Sequence, residues 1–197
     1  LDVLAKNFAY LKSKLNKRTT CGAVVKSDAY GLGLNPIVSR LSKEGCNRFF
    51  VATLDEAIAV RTILETIDKD AVIYLLNGLS KDSERELDHY NIVPILNSIK
   101  EIERWSSYAK QSGKLRHGIV NIDTGMSRLG LDTGELDTFA LNPQLSEGIN
   151  ITYVMSHLAC GDNRMDNKNE QQRRLFDKYR LYFGSAKSSL ANSAGIF

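Results

Sequence analysis

A chain of 197 residues with 43% apolar and 25% charged side chains is long enough for one sizeable hydrophobic core and short for two domains. Its net charge of +3 is small and no long Lys/Arg block occurs, so neither nucleic acid nor a membrane surface is implied as a partner. No apolar run approaches the roughly 18 residues of a membrane span, and Cys21, Cys46 and Cys160 lack metal-ligand spacing; free thiols in a cytoplasmic, reducing compartment are expected.

The chain opens inside a helical pattern with no signal-peptide features, which hints at missing upstream residues. Leu4, Phe8, Leu11 and Leu15 mark the apolar side of this helix, and Lys12, Lys14, Lys17 and Arg18 its solvated face. Residues 22–25, Gly-Ala-Val-Val, read as a strand buried on both faces that delivers Lys26 at its C-terminal tip. A Gly-rich turn at 29–33 follows. Asn35-Pro36 then reads as a helix start, Asn as N-cap and Pro at the first helical position, with Ile37, Val38 and Leu41 inward. Residues 49–52 form a second strand. Thr53 and Glu56 have the spacing of a capping box, and the helix they start aligns Val60, Ile63, Leu64 and Ile67.

A third strand, 71–76, ends at Asn77-Gly78, and a polar helix spans about 81–89. The fourth strand, 92–96, ends at Asn97; Ser98 and Glu101 cap a helix on which Ile99, Ile102 and Trp105 face roughly one way. The fifth, 118–122, runs into Asp123. A weaker helix lies around 136–141, and a sixth strand, 151–155, ends at Ser156-His157. Asn167 and Glu170 cap the longest helix, whose inner side is Leu175, Phe176, Tyr179 and Phe183. The seventh strand, 188–191, carries Asn192-Ser193 at its tip.

Polar tips at Lys26, Thr53, Asn77, Asn97, Asp123, Ser156 and Asn192 recur roughly 20 to 36 residues apart, the size of strand–helix units with parallel strands and right-handed crossovers. An open doubly wound sheet and a (β/α)8 barrel both fit. A polar residue at every tip favours the TIM-type barrel, where chemistry collects at the C-terminal strand ends. An early Gly-x-Gly-x-x-Gly turn is also lacking. Only seven units are present, against eight in a closed barrel of about 250 residues, so an incomplete barrel is expected.

A lysine at a strand mouth, partly desolvated, can have its pKa drawn towards neutrality and condense with aldehydes, as the lysines that hold pyridoxal phosphate (PLP) do. On spacing alone a solvated strand end is the more common explanation. The wording of three segments decides otherwise. Ala23-Val-Val-Lys26-Ser-Asp-Ala-Tyr30-Gly-Leu-Gly33 resembles the PLP-lysine signature of alanine racemases, and Asp123-Thr-Gly-Met-Ser-Arg128-Leu-Gly130 and Ser189-Leu-Ala-Asn192-Ser193-Ala-Gly195 match the family in the same order. Met155-Ser-His157-Leu-Ala-Cys160 is a weaker fourth match.

This resemblance implies a PLP-dependent isomerase of fold type III that interconverts L- and D-alanine for peptidoglycan synthesis, a homodimer when complete. Residues 1–197 would be the N-terminal barrel portion, short of closure and of a β-rich C-terminal domain, and inactive or nearly so alone. Lys26 would hold the cofactor and act as one of two bases; the second, a tyrosine from the partner subunit, has no counterpart here. Tyr30 would hydrogen-bond the cofactor phosphate, and Ser193, with Asn192 beside it, would contact it too. Arg128 would meet the phenolic oxygen of PLP and the substrate carboxylate, for which its planar fork is suited. His157 would lie near the pyridine ring and help orient the partner tyrosine. His89 and His117 match nothing.

Two departures stand out. Many family members carry, two positions before Asp-Thr-Gly, a lysine that becomes carbamylated and braces the arginine; here Asn121 stands there, so a bound anion is the expected substitute. Leu32 replaces the family's usual histidine. The competing readings are a non-catalytic PLP-binding protein on the same barrel, which would lack both the Asp-Ala-Tyr-Gly and Asp-Thr-Gly-Met-x-Arg wording, and a racemase of a related amino acid such as serine.

Overall fold

The computed structural model describes residues 1–197. Every strand pairs in parallel with the one that follows it in sequence, in the order β1-β2-β3-β4-β5-β6-β7. A doubly wound sheet reverses its strand order at a switch point. No reversal occurs here, so that alternative falls. By compactness the chain divides into two units, Leu1–Pro94 and Ile95–Phe197, with the boundary inside β4.

The first unit runs α1 (Asp2–Ser13), β1 (Ala23–Val24), the one-turn α2 (Lys26–Gly31), α3 (Leu34–Lys43), β2 (Arg48–Val51), α4 (Leu54–Leu64), β3 (Val72–Leu75), α5 (Glu84–His89) and the first residues of β4 (Ile92–Leu96). Register sets Val24, Phe50, Tyr74 and Val93 in one row, with the Phe50 and Tyr74 rings stacked at 4.7 Å. The alternate residues Phe49, Val51, Ile73 and Leu75 are buried, as are Val38, Leu41, Ala57, Val60 and Leu64 of α3 and α4. Helix α4 packs on β2 and β3. Each large aliphatic or aromatic side chain so buried stabilises the fold by about 1.5–3 kcal/mol.

A charged residue also lies inside this unit. Arg61 is 7% exposed and donates to four carbonyls, Nε to Tyr90 (2.9 Å), Nη1 to Lys69 (3.2 Å) and Ala71 (3.1 Å), and Nη2 to Asn91 (2.9 Å). It thereby joins α4 to the loops that enter β3 and β4. Burial pulls its pKa down, and the charges of Glu65 and Asp68 oppose that.

Cys46 is fully buried, and burial pushes its thiol up to about 11. The thiolate is the reactive form. In the folded protein at pH 8, Cys46 is therefore expected to resist a disulfide reagent and to react only after unfolding. Thiol counting with and without denaturant checks this; rapid native labelling of Cys46 contradicts it.

The second unit continues with the end of β4, α6 (Ile99–Ser112), β5 (Arg116–Asn121), α7 (Thr133–Leu141), β6 (Ile149–Met155), α8 (Asn167–Tyr179) and β7 (Lys187–Ser189). Short 3-10 turns lie at Pro143–Ser146, Arg180–Phe183 and Ala194–Ile196. The α6 N-cap is Ser98, whose Oγ accepts Glu101 N–H at 3.3 Å, and the helix stops at Gly113 in the left-handed region (φ 64). Ile102 and Trp105 are buried, as expected, and the indole N–H donates to His117 O at 3.0 Å. Phe139 and Phe183 stack at 4.7 Å.

Several boundaries depart from the sequence expectation. Strand β1 has two residues, and Val24 is 44% exposed, so it is not covered on both faces. Helix α3 begins at Leu34 rather than after Asn35, because Asp28 Oδ1 accepts Leu34 N–H at 2.6 Å and Gly33 stands as N-cap. Asn35, now inside the first turn, accepts from Ser39 Oγ instead. Helix α8 is capped by Asp166, which takes Lys168 N–H at 2.9 Å, since Glu170 is engaged by Arg173 and Arg174. Its inward residues are Gln172, Phe176 and Tyr179; Leu175 is 39% exposed.

Candidate active site

Lys26 leaves the sheet immediately after Val25, whose N–H still bonds Phe50 O at 2.8 Å. The next four residues have positive φ: Ser27 53°, Asp28 52°, Ala29 53° and Tyr30 57°. None is glycine. Left-handed helical backbone costs about 1–2 kcal/mol per L-residue, so this turn persists only where its surroundings over-determine it.

The bonds that do so come from both sides. Ala29 N–H bonds Val25 O at 3.0 Å and Gly33 N–H bonds Asp28 O at 3.0 Å. Ser27 N–H donates to Glu56 Oε1 at 2.7 Å, and Asp28 Oδ1 takes Leu34 N–H. Gly31 (φ 79) and Gly33 (φ 91) complete the turn. The Gly-rich turn read from sequence is thus a left-handed turn beginning four residues before its first glycine. Lys26 is half-buried and its amine makes no hydrogen bond or ion pair; Nζ lies 6.0 Å from the centroid of the Tyr30 ring. Tyr30 itself is 63% exposed.

The second unit holds the other expected residues. Arg128 sits in the loop after β5, which is closed at its base by Leu131 N–H to Asn121 O (2.8 Å) and Asp123 N–H to Leu131 O (3.0 Å). Asp123 Oδ1 accepts the N–H groups of Gly125 (2.9 Å) and Ser127 (3.0 Å), bending the loop. Arg128 is exposed, and its guanidinium makes no ion pair. Asn121 does not brace it: the Asn121 amide donates to Asn97 Oδ1 at 2.9 Å.

Gly130 is required at the loop base. Its φ is 116°, and a Cβ there would stand 2.7 Å from Asp123 N and 2.9 Å from Ile122 C, backbone atoms that cannot step aside. Gly130→Ala is expected to destabilise the protein by about 2 kcal/mol or more and to speed amide exchange across 123–131. Thermal melting and hydrogen exchange check this; an unchanged loop would show that glycine is not needed at position 130.

His157 follows β6 and is half-buried. Its carbonyl accepts from Gln172 Nε2 at 2.8 Å, while Gln172 Oε1 takes Ala159 N–H at 2.8 Å and Nε2 also reaches Thr124 Oγ1 at 3.2 Å. Thr124 and Ser156 share a hydroxyl bond of 2.8 Å. Gln172, 1% exposed, so links the segment after β6 to the root of the Arg128 loop. Asn192 packs over Gly161, and its Oδ1 accepts Gly195 N–H at 2.9 Å; Ser193 is exposed.

The structure therefore sets Lys26 beside Tyr30 in the first unit, and Arg128, His157, Asn192 and Ser193 on strand-exit loops of the second. Glu56, Asp28, Asp123 and Gln172 are the residues that sequence reasoning missed. Glu56 left a signal as a capping residue and Asp123 as a polar strand tip; Asp28 and Gln172 act through folds of the chain that spacing does not report.

The model of the N-terminal domain of alanine racemase matches residues 1–197. The chain belongs to the alanine racemase family. Among curated relatives, the catabolic alanine racemase of Agrobacterium fabrum is 43% identical over the whole chain, which covers 50% of that protein. The alanine racemase of Rickettsia canadensis is 40% identical over 98% of this chain and 53% of its own length. The crystal structure of alanine racemase from Bartonella henselae with covalently bound pyridoxal phosphate superposes with a TM-score of 0.92 at 37% identity, covering 98% of this chain and 55% of that one. The seven βα units are accordingly those of an incomplete TIM-type (β/α)8 barrel. The chain spans about half the length of the alanine racemases it matches.

Proposed function

We propose that this chain is the cofactor-binding portion of an alanine racemase, with pyridoxal phosphate held on Lys26. The supporting observation is an uncommitted, half-buried amine on a strained turn, in a chain that superposes on a racemase carrying covalent pyridoxal phosphate. The side chains present fit such a group. Lys26 and Arg128 have no other polar engagement, and the Tyr30 and Ser193 side chains are open to a phosphate. Asn192 can donate its Nδ2 to a phosphate, while its oxygen, an acceptor, holds Gly195 N–H.

When bound, pyridoxal phosphate withdraws electrons from the substrate Cα and makes its proton acidic. Once the substrate amine has taken its place on the cofactor, the freed Lys26 Nζ would remove or return that proton on one face of the carbon. The Arg128 guanidinium would, by the family resemblance, face the phenolic oxygen of the cofactor and the alanine carboxylate. By the same resemblance, Tyr30 and Ser193 would each contact the phosphate, and His157 would orient what approaches from the far side. Inverting the centre requires a second acid/base on the opposite face, supplied by a β-rich domain of the partner subunit in a homodimer. The remaining length of the same chain would supply the eighth strand. The product serves peptidoglycan synthesis in the cytoplasm.

Two measurements test this. Fixing bound pyridoxal phosphate with borohydride and digesting the protein should place the added mass on the Lys26 peptide. The whole protein should racemise alanine well ahead of serine. Modification of a different lysine, or serine turnover that exceeds alanine turnover, removes the proposal.

A further inference from the structure

Glu56 is the third residue of α4, and its two carboxylate oxygens do different jobs. Oε2 accepts the N–H groups of Ala52 (2.8 Å) and Thr53 (3.2 Å), closing a capping box with Thr53 Oγ1, which takes Glu56 N–H at 3.4 Å. One oxygen is enough for that, which is why glutamine serves in such boxes as well as glutamate. Oε1 is turned away from the helix. It accepts Ser27 N–H at 2.7 Å, the short distance of a charge-assisted bond, from a residue 29 positions upstream.

The Ser27 nitrogen belongs to the rigid peptide plane that also contains the Lys26 carbonyl. Fixing that N–H fixes the ψ angle of Lys26; the plane before it is held by Val25 O, which accepts Ala29 N–H at 3.0 Å, and the one before that by Val25 N–H on Phe50 O at 2.8 Å. Glu56 is in turn carried by a helix whose Ala57 and Val60 are fully buried. Ser27 also opens the left-handed run, which needs an external hold. The device recurs in the second unit: Glu135, third residue of α7, accepts Ile99 N–H at 2.9 Å, at the start of the helix that follows β4. In both cases a glutamate one βα unit ahead holds the backbone leaving the preceding strand.

We infer that Glu56 is a positioning residue for Lys26, aiming its amine by clamping the Lys26–Ser27 peptide, separately from capping α4. This rests on the reading of Lys26 as the cofactor lysine. Two substitutions separate the roles. Glu56→Gln keeps an acceptor for the capping box and presents an amide N–H2 where Ser27 needs an acceptor. Thr53→Ala removes the cap hydroxyl and leaves the clamp.

Glu56→Gln should weaken pyridoxal phosphate binding, followed by absorbance titration, about tenfold or more and speed amide exchange over 27–33, with Tm within about 2 °C of wild type. Thr53→Ala should lower Tm by about 2–4 °C and leave both affinity and exchange at 27–33 unchanged. If Glu56→Gln lowers only Tm, with affinity and local exchange as in wild type, Glu56 is a cap alone and the inference is wrong. If the wild type takes up no pyridoxal phosphate, the reading of Lys26 fails instead, and exchange over 27–33 in Glu56→Gln still decides whether the clamp exists.

Discussion

Lys26→Ala should lose covalent pyridoxal phosphate altogether and, in the whole protein, lower racemisation by roughly 10²- to 10⁴-fold through loss of a base alone. The fold should survive the change. Lys26 is half-buried and enters no hydrogen bond or ion pair, so alanine removes a stem and a charge without stranding a partner. The turn that follows is held by backbone groups and by Glu56 and Asp28, none of which needs the lysine side chain. Lys26→Arg is the sharper companion: it keeps a positive charge of similar reach, yet a guanidinium stays protonated and does not condense with an aldehyde. Absorbance of the bound cofactor, together with the melting curve, reads both variants. An arginine variant that binds as tightly as wild type would mean that charge rather than covalent chemistry holds the cofactor.

The second large effect lies far from the amine in character. Arg61→Met should cost about 3 kcal/mol or more of stability, lowering Tm by roughly 6–12 °C. Methionine fills much of the same volume, so the loss comes from carbonyls rather than from a cavity. Tyr90, Lys69, Ala71 and Asn91 each lose a donor, and Ala71 is almost wholly enclosed. Arg61→Lys should recover only part of this, because one ammonium cannot serve two loops that a planar fork spans. Thermal unfolding followed by circular dichroism decides it. A methionine variant as stable as wild type would show that water replaces the guanidinium without penalty.

Much of the fold was legible because its signals are periodic and local. The Thr53/Glu56 box, the Ser98 cap and the buried Ile102 and Trp105 are short-range patterns, and all appear as read. Parallel pairing followed from repeated units of similar length, and sequential strand order from the polar residue at each strand tip. The candidate site residues were legible only through the wording of whole segments, since a lysine, an arginine or a histidine at a strand tip has no distinctive spacing. What escaped reading depends on distant partners. Gln172 took the inward place expected of Leu175 because three polar groups from two loops converge on its amide. Asp28 displaced the helix start by reaching six positions forward. The left-handed turn was invisible because Ser, Asp, Ala and Tyr have no local preference for it.

That turn also has a temporal side. Its hold on Ser27 comes from a carboxylate encoded 29 positions later, and its opening is set by pairing with β2. A nascent chain emerging from the ribosome therefore cannot complete this turn until Glu56 has cleared the exit tunnel and the first two strands have met.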